Sequence, residues 1–258
     1  MIDIVVINFN YQNYLVPFLN SLIECQKYSI IKQKIIIVDN NSTDNSRAAL
    51  KTWYEHLNIG NCQIELLNEN RGYAYAVNYG AKQGLYPYIM ILNSDMLVLD
   101  YYWKETFLKT FRMYENTGVV GCKLINQFNK VVGAGTEGTF QQRKFRAYNV
   151  EDSDDPKEIF NKTANCVNVS GCCYMVKREV FDKIGGFDED FFMYHEEEYF
   201  SFKVQLLLKM KIMYTPLTKF LHYFDSHKSG NELKYMPKSH GVFIKKCKEE
   251  LNLEGVQP

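Results

Sequence analysis

Four short clusters of amide and carboxylate side chains could carry chemistry: Asn8-Phe9-Asn10, Asp39-Asn40-Asn41, Asn70-Arg71-Gly72 and Asn93-Ser94-Asp95. Amides hydrogen-bond polar ligands, and hard carboxylate oxygens suit Mg²⁺ or Mn²⁺. A fifth group, Glu196-Glu197-Glu198, could take a proton from a reacting hydroxyl. Successive helical residues point about 100° apart, so at most two of these three face one cleft. Glu198 is assigned to complementing the helix N-terminus.

The elements behind these clusters are short and apolar. Ile4–Ile7, Ile35–Val38, Ile64–Leu67 and Tyr88–Leu92 read as buried strands, too short for helices and mostly β-branched. Helical stripes separate them: Leu15, Phe18, Leu19 and Leu22, then Leu50, Trp53, Tyr54 and Leu57, with Trp103, Phe107, Phe111 and Tyr114 after the fourth strand. Ser42 or Thr43 is the expected start of the second helix. This alternation predicts an α/β fold with a mainly parallel sheet covered on both faces. Ligands of such sheets bind beyond the carboxyl ends of the strands, so the four clusters should converge on one edge. From Val119 to Lys177 the pattern loosens into short strands and a polar insert, with 151–156 a solvated loop. A strand at Cys172–Val176, a helix near Arg178–Ile184, the Gly185-Gly186 break and a helix over Glu196–Lys209 follow. The tail is Lys-rich, with a helix expected over Val242–Leu251.

Other chemistries are excluded by spacing and composition. Lys+Arg and Asp+Glu balance at 30 each, without the basic excess of a duplex nucleic-acid binder. Seven cysteines include no CxxC pair, which removes zinc-ribbon and thioredoxin-like readings and leaves small buried hydrophobes. Gly133–Gly138 matches G-x-G-x-x-G but lies far from the first strand, and Thr139–Gln142 after it does not look like a helix start, so these glycines read as turns. No P-loop occurs, and His195-Glu196-Glu197-Glu198-Tyr199 lacks the second histidine of a zinc protease. The start shows no signal-peptide pattern and no stretch is long and apolar enough to span a bilayer, so a cytoplasmic protein is expected. Residues 182–198 hold seven acids against one Lys, whereas 203–248 hold ten Lys against two acids. Such a basic run is a solvated face or a peripheral contact with anionic lipid on the inner membrane face.

Taken in order, Asn8-Phe9-Asn10, Val38–Asp44, Asn70–Ala74 with Asn78, and Leu92–Asp95 resemble glycosyltransferase family 2, with its Rossmann-like GT-A nucleotide-sugar domain. Gly171–Met175, Gly185–Glu189, Phe191–Tyr194 and Glu196-Glu197 are similar to its acceptor-side region, and His222 with Ser226 to its closing H-x-x-x-S element. The likeness covers about residues 2–230 and is closest to the bacterial rhamnosyltransferase-like branch.

The resemblance implies one domain over 1–230, with a nucleotide-sugar half at about 1–100 and an acceptor half over 119–230, ahead of the tail at 231–258. It implies an inverting, metal-dependent transfer from a UDP- or dTDP-sugar to a hydroxyl of a glycan or lipid-linked acceptor in surface polysaccharide synthesis. Asn8, Asn10, Asp39, Asn41, Asn70, Arg71, Gly72, Asn78, Asn93, Ser94 and Asp95 would bind the nucleotide sugar, with Asp39 meeting a pyrimidine N3–H. Arg71 could bridge phosphates or be an ordinary exposed loop residue. Asp95 would hold Mg²⁺ or Mn²⁺, with His222 either a second ligand or a packed core histidine. Asn93 stands where the family usually has the first Asp of Asp-x-Asp. Glu197, in place of the usual Asp, would be the base, with Glu196 beside it, and Gly171 and Tyr194 would lie on the acceptor side. The rival readings are an inactive sugar-nucleotide-binding protein of the same fold and a nucleotidyltransferase, whose glycine-rich loop after strand one is missing.

Overall fold

The computed structural model describes residues 1–57, 60–147, 149–223 and 231–256. Its first part is the expected alternation: β1 (Ile2–Asn8), α1 (Gln12–Gln26), β2 (Gln33–Asp39), α2 (Ser46–Leu57), β3 (Cys62–Leu66), α3 (Tyr73–Lys82) and β4 (Tyr88–Asn93). A short β5 (Met96–Val98) leads to α4 (Trp103–Met113) and β6 (Thr117–Ile125). The insert holds β7 (Val131–Gly133), β8 (Thr136–Gly138), β9 (Arg143–Phe145) and β10 (Ala164–Cys166). β11 (Cys173–Lys177), α5 (Arg178–Ile184), α6 (Glu196–Leu208), β12 (Lys211–His222) and α7 (Asn231–Leu251) complete the order.

The main sheet runs β10-β12-β6-β11-β4-β1-β2-β3, with β5 paired to β12 and β7 to β6. The β4-β1-β2-β3 block is parallel, as is β12 with β6, while β11 enters antiparallel between β4 and β6. Alternation along each strand divides the core. Ile2, Ile4 and Val6 pack with α1, α2 and α4, whereas Val5 and Ile7 pack with α3, α5 and α6. The helices therefore cover both faces. A third cluster, including Phe191, Tyr199, Phe202, Phe243 and Cys247, joins α6 to α7.

Three expectations change. α2 begins at Ser46 rather than Ser42 or Thr43, because Asp44 accepts from the Ser46 amide while Ser42 is used at the strand ends. The looser region contains the nine-residue, fully buried β6 and is followed by the twelve-residue β12. The tail helix begins eleven residues before Val242, at Asn231, and Phe243 and Cys247 anchor it. All seven cysteines are free and buried, and no described helix is long and apolar enough to cross a membrane.

Candidate active site

Strand register assembles the site. Asn8 pairs opposite Asp39, and Asn93 opposite Ile7, so three strand ends meet at one edge. Asn8 is the hub there. Its Nδ2 donates to Asp39 Oδ2 at 2.8 Å and to Ser42 Oγ at 3.1 Å, and its Oδ1 accepts from Ser94 Oγ at 2.8 Å. Asp39 is fully buried, and its Oδ1 also accepts from the Ser42 amide at 2.9 Å and Arg47 Nε at 2.6 Å. Asn10 and Asn41 adopt left-handed backbone, at φ 61° and 63°, a conformation asparagine tolerates. Asn10 Oδ1 accepts from the Thr43 and Asp44 amides at 2.7 and 3.3 Å, which shapes the loop over the network.

The third strand end is tied to the second and to the segment that leads into α6. Asn40 Nδ2 donates to Asn70 Oδ1 at 2.9 Å, and the same oxygen accepts from the Gly72 amide at 3.0 Å. Gly72 has φ 96°, and a Cβ there would lie 2.5 Å from the Phe192 carbonyl oxygen. The Tyr73 amide donates to that oxygen at 2.7 Å. Arg71 is half-exposed, with its guanidinium 3.8 Å from the centre of the Tyr75 ring and 3.7 Å from Glu69.

Asn78 does not join this group. Its amide donates to the Phe187 carbonyl at 2.7 Å and accepts from the Phe187 amide at 2.8 Å, which commits it to the turn after Gly185-Gly186. Its side-chain amide thus clamps the Phe187 backbone.

Asp95 and His222 meet because β12 pairs with β5, placing His222 opposite Met96, while the Tyr223 amide donates to the Asp95 carbonyl. His222 Nε2 lies 3.3 Å from Asp95 Oδ2 as an ion-pair approach, and neither carboxylate oxygen of this buried aspartate receives an aligned hydrogen bond. On the far side of the ring, Cys172 Sγ lies 3.8 Å from Nδ1. Burial opposes protonation of His222, but Cys172 and Asp95 outweigh it and raise its pKa well above the ordinary imidazole value. A protonated His222 is itself the cation facing the Asp95 carboxylate, and a divalent ion could be held by the pair only once the imidazole gives up that proton. No cluster of three or more His, Cys, Asp or Glu side chains able to hold a metal occurs among the described residues. Ser226 lies outside the described residues.

Glu196 and Glu197 open α6 beside these groups. The Tyr73 hydroxyl lies 2.9 Å from Asn93 Oδ1 and 3.0 Å from the Gly171 carbonyl, and Gly171 packs on Glu197: a Cβ on that glycine would sit 3.0 Å from Glu197 Cγ. Asn168 Nδ2 approaches Glu197 Oε1 at 3.4 Å. Glu196 is buried, and its Oε2 has no hydrogen-bond partner. Burial raises the pKa of both carboxyls, with Glu197 adding to the shift of Glu196 and Glu198 to that of Glu197. Tyr194 and His195 enter the helix at φ 74° and 69°. Arg47, Tyr73, Asn168 and Cys172 were not singled out from the sequence as site residues. Tyr73 and Cys172 lie inside the family-like segments Asn70–Ala74 and Gly171–Met175, and Arg47, the second residue of the helix after a strand-end acid, is the third with a local signal.

The sequence model for "Glycosyl transferase family 2" matches residues 3–185. The chain belongs to glycosyl transferase family 2. This family 2 chain is 29% identical over 164 residues to the O-antigen biosynthesis protein RfbC of Myxococcus xanthus, a match covering 61% of the chain and 12% of RfbC. It is 25% identical over 180 residues to the low-salt glycan biosynthesis hexosyltransferase Agl10 of Haloferax volcanii, covering 67% of the chain and 53% of that protein. The chain thus spans only part of the length of these relatives. Among solved structures, the mannosyltransferase PcManGT of Pyrobaculum calidifontis in complex with GDP-Man and Mn2+ superposes with TM-score 0.69 at 16% identity, covering 95% of this chain and 64% of that one. GalNAc-T7 with UDP, GalNAc and Mn2+ gives 0.68 at 17% identity, covering 87% and 44%. These likenesses establish the GT-A fold.

Proposed function

We propose that this chain transfers a sugar from a UDP- or dTDP-sugar to a hydroxyl of a glycan or lipid-linked acceptor in surface polysaccharide synthesis, with inversion at the anomeric carbon. The observation that carries the reading is the buried Asp95 carboxylate paired with His222, close enough to Glu196 and Glu197 that all three carboxylates act on the Tyr73 phenol. The RfbC and Agl10 names favour glycan synthesis, and the Mn2+ complexes of the two structural relatives favour a divalent ion.

Asp95 and His222 would hold Mg²⁺ or Mn²⁺. Such an ion, when bound, stabilises negative charge on a departing nucleoside diphosphate. The remaining work falls to this chain's side chains. Asp39 already accepts three hydrogen bonds, and a carboxylate has about four acceptor sites, so one is left for a pyrimidine N3–H. Asn41, Asn70 and Arg71 sit at the accessible rim to meet ribose and phosphates, while Asn8 and Ser94 lie beneath and hold Asp39 and the loop in place. Glu197 takes the proton of the acceptor hydroxyl at a carboxylate oxygen, and Gly171 leaves it room to approach. Exposed Lys234, Lys238, Lys245 and Lys248 on one face of α7 would suit anionic lipid around a lipid-linked acceptor.

The test is calorimetric binding of UDP, dTDP and GDP with Mn²⁺, followed by turnover of UDP- and dTDP-sugars by the wild type and by Glu197→Gln. A single charge-assisted bond at Asp39 should favour the pyrimidine nucleotides by roughly ten- to hundredfold. Equal binding of GDP would overturn the base assignment. Pyrimidine nucleotide binding with no turnover of any sugar would make the chain a binding module.

A further inference from the structure

We propose that Arg143, delivered by the β8–β9 hairpin, is a positioning residue for the first turn of α6: by holding Glu198 it turns that carboxylate from the cleft and leaves Glu197 to face the acceptor. This rests on the assignment of Glu197 as base. Arg143 Nε lies 2.6 Å from Glu198 Oε1, and Glu198 Oε2 lies 3.0 Å from His195 Nδ1. The side chains are only 8%, 13% and 15% exposed for Arg143, Glu198 and His195, so this is a desolvated contact and not a surface pair. The guanidinium also donates to the Phe140 carbonyl at 2.6 Å and lies 5.3 and 5.2 Å from the Phe202 and Phe243 ring centres, which fixes it between α6 and α7.

The entry to α6 needs such an external hold. Tyr194 and His195 are consecutive left-handed residues bearing side chains, and His195 at the cap position makes no side-chain capping bond. Three acids in one turn also repel one another. Glu198 opposes ionisation of Glu197, and Arg143 supplies the opposite charge that Glu198 needs.

The titratable and charged groups around this turn come from several elements. Glu196, Glu198 and His195 share α6, Tyr73 faces Glu197 from α3, and Tyr174 faces it from β11. Arg143 comes from β9, while His240 and Cys247 face Glu198 from α7. Both tyrosines and Cys247 are pushed upward by burial and stay neutral while a carboxyl titrates. Glu198 opposes ionisation of Glu197 and His195 favours it, while Arg143 acts through its 2.6 Å contact with Glu198, so removing Arg143 and removing Glu198 should move Glu197 in opposite directions.

The experiment is a carboxyl-carbon NMR titration of protein labelled in glutamate, with the Glu197 signal identified by its loss in Glu197→Gln. Arg143→Met should move the Glu197 midpoint up by about one pH unit, and Glu198→Gln should move it down by a similar amount, the size of one partly screened charge a residue away. Arg143→Lys should restore most of the wild-type midpoint. Should Arg143→Met not fold, Arg143→Gln, which keeps a polar side chain and removes the charge, is read in its place and should give the same upward shift. No shift, or shifts of the same sign in both variants, would overturn the inference. Loss of sugar transfer in Glu197→Gln without these shifts removes Arg143 and keeps the base. The shifts together with full transfer by Glu197→Gln remove the base and keep the charge coupling.

Discussion

Replacing Gly72 with alanine should separate the two halves of the site. The residue sits at φ 96° and ψ 170°, a region that side chains other than glycine essentially avoid, at about 1–3 kcal/mol. A Cβ would stand 2.5 Å from the Phe192 carbonyl oxygen and 2.9 Å from its Cα, both backbone atoms that no rotamer change can move aside. Restoring ordinary contact at 3.4 Å requires the chain at residue 192 to retreat by about 0.9 Å. That retreat stretches the 2.7 Å bond from the Tyr73 amide and leaves a part-buried donor poorly paired, for about 1–3 kcal/mol more. The total of roughly 2–6 kcal/mol should lower the melting temperature by about 5–15 °C in a chain of this size. Phe192 precedes Tyr194 and the start of α6, so the acceptor carboxylates should be displaced while the strand-end network at Asn8 and Asp39 persists. Calorimetry should find UDP affinity within a few-fold of wild type, and turnover should fall by about 10²-fold or more. A melting temperature within 2 °C of wild type together with unchanged turnover would refute the close approach as the link between the halves.

Glu197→Gln should cut turnover by about 10²–10⁴-fold with nucleotide affinity retained. In the wild type the acid limb of the pH–rate profile should lie above the ordinary glutamate value of 4.5, because burial raises both carboxyls and the base works only when ionised. The folded protein then holds protons that the unfolded chain releases, so stability should fall as pH rises from 4.5 through the raised pKa, which pH-dependent denaturant melts would check. Asp95→Asn should weaken Mn²⁺ binding by at least tenfold in calorimetry while leaving the fold intact, and unchanged affinity would take Asp95 out of the cation site. Arg178→Ala should cost about 3–5 kcal/mol in denaturant melts, because Arg178 Nη2 holds the buried Asp3 carboxylate at 2.9 Å and its removal strands that charge.

Most of the parallel half was readable because β1, β2 and β4 carry continuous apolar runs ending in polar clusters, set by burial on both faces, whereas the edge strand β3 mixes Gln63 and Glu65 with apolar residues and is only part-buried. β12 was not, although its twelve residues make it the longest strand. Pro216 interrupts the run, and the register with β6 slips between Thr215 and Lys219, so two short segments with different alternation form one strand. That strand carries His222 to Asp95, so the two residues were visible in the sequence but their contact was not. Ser42 shows the opposite error. It has the chemistry of a helix cap, yet its hydroxyl accepts from the Asn10 amide and from Asn8, so tertiary bonding overrides a local preference.

The departures from the family pattern make most sense as charge balance. The surroundings of Tyr73 already include Glu196, Glu197 and Asp95, and all three act to raise the pKa of that phenol. An aspartate at position 93 would add a fourth carboxylate, raising the cost of leaving the others ionised before any cation arrives. Asn93 keeps the carbonyl oxygen that the Tyr73 hydroxyl meets at 2.9 Å and removes the charge. Asp95 is then left as the carboxylate beside His222, and cation affinity should depend on it and on the donor diphosphate together. On this argument Asn93→Asp should tighten Mn²⁺ in the absence of nucleotide and raise the Glu197 midpoint in the apo protein. A variant that did the first without the second would place residue 93 too far from Glu197 for the two charges to interact.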